Sequence, residues 1–187
     1  MKSLVLFAAA ASLLATSAFA DETINVGPFR SVEVRGGGHV TLHRGAAQRV
    51  TLVKGTTQYT SFTIEDGRTL VIDACDHGCP SGTYDLEVDI ATPDIGGVSV
   101  DGGGGITGSA DLPTGNLNAA VNGGGHIDMR AVHADAVHAA VNGGGHIQVY
   151  AGSTLKAAVS GGGLIQYWGN PQVTSAISGG GDVRQGS

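Results

Sequence analysis

The chain has 187 residues, about the length of one domain, of which 41% are hydrophobic, 5% aromatic and 14% charged, with 32 glycines and a formal net charge of −6. The apolar share is too high for a disordered chain. The glycines lack the triplet period of collagen, are too dense for a helical bundle, where each costs about 1 kcal/mol relative to Ala, and the acidic balance excludes nucleic acid as a partner.

Met1 to Ala20 reads as a secretory signal peptide. Lys2 supplies the positive start, Leu4 to Ala15 the apolar run, and Ala18, Phe19 and Ala20 a small-x-small cleavage site before Asp21. The run is too short to span a bilayer core of about 30 Å. The expected mature chain, 21–187, carries 9 basic and 16 acidic residues, a net charge of −7. No stable membrane insertion is expected after cleavage. The expected location is the periplasm, the cell surface or the medium.

Residues 29–90 form a less regular N-terminal section. Val32 to Val34, Val40 to Leu42, Val50 to Val53, Phe62 to Ile64 and Leu70 to Ile72 read as short strands, separated by Gly55, Asp66-Gly67 and a cysteine loop. The only two cysteines are Cys75 and Cys79. Export favours a disulfide between them. The competing reading is a metal site using Cys75, His77 and Cys79, for which no second cysteine pair supplies a fourth ligand. Asp85, Glu87 and Asp89 then line one strand face, as a solvated edge or a calcium-binding row.

From Val98 onward one pattern dominates. An aliphatic residue, a small or polar one, three glycines, a variable residue and a second aliphatic recur at Val100–Ile106, Val121–Ile127, Val141–Ile147, Val159–Ile165 and Ile177–Val183, with an earlier copy at Val34–Val40. The last five begin 21, 20, 18 and 18 residues apart. With the first aliphatic as zero, apolar side chains occupy positions −4, −2, 0, +6 and +8, all even. Such alternation marks strands with one buried face, not a helix. The period predicts an all-β fold, a β-solenoid (parallel β-helix-like) with coils of about 18–21 residues. The gap from Val34 to Val100 would hold about three more coils or an antiparallel cap.

Odd positions then face outward in ladders. One holds Asp101, Asn122, Asn142, Ser160 and Ser178, a source of hydrogen bonds between coils or a binding row. Another holds His39, Gly105, His126, His146, Leu164 and Asp182. His126 and His146, about 4.8 Å apart in neighbouring strands, with Asp128 on the same face, are candidate ligands for a divalent metal. The alternative is a solvated edge copied with the repeat. Tyr167 and Trp168 read as a cap on the last layer or as a contact patch.

The chain resembles the auto-transporter adhesin head GIN domain family, a bacterial domain of unknown function. The resemblance lies in Phe29 to Val34, in Gly67 to Ile72 and in the glycine-centred repeats. It implies a single GIN-like β-helix domain over 21–187, with regular repeats over 98–184, in an exported envelope protein. The family brings no catalytic residues onto this chain.

Catalytic signatures fail: there is no Gly-x-Ser-x-Gly elbow, no phosphate-binding loop and no His-Glu-x-x-His. Asp128, Arg130 and Asp182 make a polysaccharide-cleaving face only by assumption, since two carboxylates do not identify a glycosidase. The expected protein is a non-enzymatic, exported binding or adhesin-like module without a cofactor, its partner a glycan or surface protein. The alternatives are a polysaccharide-acting enzyme on the same fold and a structural envelope protein that associates with itself.

Overall fold

The structure, a computed structural model, describes residues 21–80 and 84–187. The expected signal peptide lies outside the described residues. In chain order the strands are β1 (Glu22–Ile24), β2 (Ser31–Gly36), β3 (His39–Arg44), β4 (Arg49–Lys54), β5 (Ser61–Glu65), β6 (Thr69–Asp73), β7 (Glu87–Thr92) and β8 (Gly97–Gly102). They continue as β9 (Gly105–Gly108), β10 (Asn116–Gly123), β11 (His126–Gly143), β12 (His146–Gly161), β13 (Leu164–Trp168), β14 (Gln172–Gly179) and β15 (Asp182–Gln185).

The expected all-β character is present, but the expected β-solenoid of 18–21-residue coils is not. The described strands form one mixed sheet whose main path runs β1-β4-β7-β3-β9-β11-β10-β8-β2-β6-β5. The sheet curls into a nearly closed, barrel-like wall around one aliphatic core. It turns back on itself at β11, whose first residues pair with β9 and whose last pair with β10. Two facts overturn the solenoid. The pairings β1–β4, β4–β7 and β5–β6 are antiparallel. The earliest motif also sits in the middle of the path, with β2 between β6 and β8 and β3 between β7 and β9. A solenoid adds each coil to the previous one in a single direction. Here the chain reverses after β3, and again at the three-residue turn between Glu65 and Thr69. Asp66 (φ 51°) and Gly67 (φ 65°) take the left-handed backbone there, which those two residue types tolerate best.

Within this sheet the repeats pair in parallel and in register. Val34, Val100, Val121, Val141, Val159 and Ile177 are successive partners across one wall. Ile106, Ile127, Ile147, Ile165 and Val183 are successive partners across the other. Alternate residues face inward: Val121, Val141 and Val159 are 1–2% exposed, and Ile127, Ile147 and Ile165 are fully buried. Full burial of a Val or Ile side chain stabilises by about 1.5–3 kcal/mol, so this shared interior fixes the register. Residues of both chain halves belong to the same cluster, from Phe29 and Val32 to Val159 and Ile165.

The three glycines of the later motifs do different work, as the copy at Val141–Ile147 shows. The first takes a positive φ (Gly143, 121°) and lies so close to the previous copy that a Cβ there would stand 2.6 Å from the Gly123 carbonyl oxygen. The third is buried, and a Cβ at Gly145 would strike Val121 Cγ1. The middle glycine, Gly144, has open space around it. The first and third glycines let two strands of adjacent copies meet at a tight corner.

Candidate functional site

The outer face of the wall built from β8, β10, β11, β12 and β14 is a shallow trough. Its floor is the in-register row Ser99, Ala120, Ala140, Ala158 and Ala176. Alternation places these small side chains outward because their neighbours Val121, Val141 and Val159 face the core. One rim is the row Asn118, His138, Lys156 and Thr174, all exposed. The other is the expected ladder Asp101, Asn122, Asn142, Ser160 and Ser178, also exposed and in register. Ser31, Glu33 and Thr69 close the trough at its β2 and β6 end, and a cavity of about 580 Å³ runs along the side between the Asn118 row and the alanine row. Methyl groups on the floor with donors, acceptors and one ammonium along the edges suit an elongated ligand with an apolar face and polar margins.

On the second wall His39, Gly105, His126, His146, Leu164 and Asp182 form one outward row. The rings of His126 and His146 meet edge to face at 5.4 Å. His146 Nε2 is buried with no hydrogen-bond partner. Burial, the neighbouring His126 and then Arg184 hold the His146 pKa below the usual histidine value. Asp128 does not join the two rings. Its carboxylate takes the Arg130 guanidinium at 2.9 Å and accepts from the Arg130 backbone N–H at 3.2 Å. Among the described residues no three His, Cys, Asp or Glu side chains converge as a metal cluster, so the candidate trio His126, His146 and Asp128 is not brought together.

Cys75 and Cys79 are joined as a disulfide, with Cα atoms 5.0 Å apart. This removes both thiols from the alternative metal site with His77. The pair closes the turn after β6, where the Gly78 N–H donates to the Cys75 carbonyl and the Cys75 N–H to Asp73 Oδ1. The acidic row is also divided among cations. Asp85 and Glu87 face Lys54, and Asp89 accepts from His43 Nε2 at 2.8 Å. The hydrogen bond from His43 to Asp89 raises the His43 pKa, against a smaller opposing effect of burial.

Several contacts are invisible in the sequence pattern. Arg35 bridges Glu33 (2.6 Å) and Glu65, holding Glu65 with two parallel bonds of 2.8 and 2.9 Å. That guanidinium keeps the Glu65 carboxyl below its ordinary pKa. His133, Tyr150 and Trp168 are successive cross-strand partners, with His133 and Tyr150 stacked at 4.1 Å and Arg130 lying 5.8 Å from the Trp168 ring. Trp168 therefore faces outward, while Tyr167 packs against the core. Tyr150 and Trp168 share one offset from the glycine motif, but His133 does not, because the register shifts between Met129 and His133.

Residues 113–171 match the family model described as "Putative auto-transporter adhesin, head GIN domain". The match falls on the repeats and does not extend to Phe29–Val34 or Gly67–Ile72. Comparison with curated proteins gives no match. Among solved structures, the chain is similar to one titled a putative adhesin from Bacteroides fragilis NCTC 9343, at 16% identity and a TM-score of 0.51, over 89% of this chain and 96% of that one. A putative lipid binding protein from Parabacteroides distasonis ATCC 8503 is similar at 16% identity and a TM-score of 0.39, over 90% of this chain and 96% of that one. At such identity the Bacteroides fragilis likeness is one of fold.

Proposed function

We propose that the chain is an exported, non-enzymatic adhesin-like protein that binds a glycan or surface protein, a reading supported by the match of residues 113–171 to the model of the auto-transporter adhesin head GIN domain. Export rests on the reading of Met1 to Ala20. The binding surface is the outer trough floored by Ala120, Ala140, Ala158 and Ala176. The observation that carries the reading is the in-register row of methyl groups between two exposed polar rows. A flat, repeated surface of this kind presents the same contacts at each strand, about 4.8 Å apart, and so favours an extended partner with its own repeat over a single small substrate.

The test is a screen of the purified chain against glycan and surface-protein arrays, repeated with Ala158→Arg. Ala158 is exposed, so the larger side chain fills the trough without entering the core. Binding by the parent chain, lost by at least about tenfold in Ala158→Arg at an unchanged melting temperature, supports the proposal. No binding on either array, or equal binding by the variant, overturns it.

A further inference from the structure

Among the described residues the last repeat leaves two edge strands, β14 on one wall and β15 on the other. Among the described residues β14 pairs with β12 alone. Its inward row, Val173, Ser175 and Ile177, stands on Leu155, Ala157 and Val159, which are 0, 5 and 2% exposed. Val173 and Ile177 are instead 40 and 48% exposed.

Natural edge strands are guarded by charge, proline, a bulge or extreme shortness. Over Gln172–Gly179 there is no charged residue and no proline, and the eight residues pair with β12 without a register shift. The other rims are guarded, and the neighbouring edge strand β15 has four residues with Asp182 and Arg184 among them. The strand β1 has three residues and carries Glu22, and β5 ends in Glu65, tied to Arg35. The strand β14 itself carries no charge to oppose a like charge.

We propose that β14 pairs antiparallel with β14 of a second copy of this chain, about a two-fold axis through Ser175. A two-fold interface needs a patch complementary to itself. This strand has one: in that register Val173 faces the partner's Ile177, Ser175 faces the partner's Ser175, and Ile177 faces the partner's Val173. An axis along the inward normal keeps the inward faces of both copies on the same side, so the exposed Val and Ile gain a covering layer. A single added strand pair is small beside the roughly 800 Å² per partner of a standard interface, so the dimer is reversible. The inference does not depend on the ligand of the outer trough, which lies on the opposite face of the wall.

Light scattering on the eluting chain over a concentration series reads the mass. The expected result is a monomer that becomes a dimer and stops there. Ile177→Lys places a charge in the pairing row and should weaken the dimer by at least about tenfold. Ser175→Cys should form a covalent dimer under oxidation, whereas Val53→Cys, exposed elsewhere, should not. A monomer at every concentration overturns the proposal, as does assembly beyond a dimer, which marks head-to-tail growth. Retention of the dimer in Ile177→Lys does the same. Should that variant lose its fold, the Ser175→Cys result decides: no selective cross-link, no β14 pairing.

Discussion

Two residues of the same type in one motif can have opposite tolerance. Gly145 is buried, with Val121 Cγ1 and the Gly125 carbonyl oxygen where a Cβ would stand, whereas Gly144 has nothing within 4 Å. Gly145→Ala should destabilise by about 1–3 kcal/mol through overpacking. Gly144→Ala should stay within about 0.5 kcal/mol. Urea unfolding of both variants checks the contrast, and equal losses would refute the corner geometry. The sequence makes the triplet conspicuous but cannot rank its members. Parity assigns the third glycine to the core, yet it gives the first the same assignment, and that one is needed for its backbone angle. The histidines show a similar limit. His43 and His146 look alike in sequence, but a carboxylate partner raises the pKa of one and burial lowers that of the other. The pair from His43 to Asp89 stabilises while His43 is charged. Its contribution is full below the unfolded pKa near 6.5 and is lost as pH rises through the raised folded value. Both side chains are more than a third exposed, so the effect is at most about 1 kcal/mol. His146 acts with the opposite sign, costing stability as pH falls below that value. Melting curves from pH 5 to 8 should therefore lose their alkaline decline in His43→Gln and part of their acid decline in His146→Gln.

At the scale of elements, strand existence is legible and strand partnership much less so. Alternation locates the repeats because each inward residue meets an equivalent residue of the next copy. Val121, Val141 and Val159 fulfil that pattern. No such constraint governs residues 49–92, where β4 finds β7 across a non-local antiparallel pairing and β5 finds β6 across a local turn. The turn itself was marked by Asp66-Gly67, although not its power to end the solenoid pattern. Gly67→Ala tests that element. Space around the position is open, so only the positive φ resists a side chain. The expected loss is about 1–2 kcal/mol, read as a lower urea midpoint with an unchanged slope. An unchanged midpoint would mean that the hairpin does not hold β5 in place. The candidate site divides in the same way. Its rows could be written down from the motif offsets, because cross-strand register preserves them. The pairing of Asp128 with Arg130, and of the acidic strand face with Lys54 and His43, depends on side-chain reach that the repeat does not encode.

For the whole molecule, the position of β2 and β3 in the sheet matters most. In a stacked repeat array each unit touches only its neighbours, and an internal stretch of repeats can fold by itself. Here Val98 and Val100 of β8 lie against Val32 and Val34, and Ile106 of β9 lies against Val40. Removing residues 21–97 would uncover that layer along both walls and open the core that the curled sheet encloses. Residues 98–187 alone should therefore fail to give a cooperative melt, although they contain five of the six glycine motifs. The full chain should unfold in a single step, with Trp168 fluorescence near one end and far-ultraviolet circular dichroism of all strands sharing one midpoint. Separate midpoints, or a fragment 98–187 that melts cooperatively, would show that the repeats form an autonomous unit and that the N-terminal strands are an accessory to it. A coincident transition together with an unfolded fragment would mean that the interior shared by the two chain halves, not repeat-on-repeat stacking alone, sets the stability of the trough.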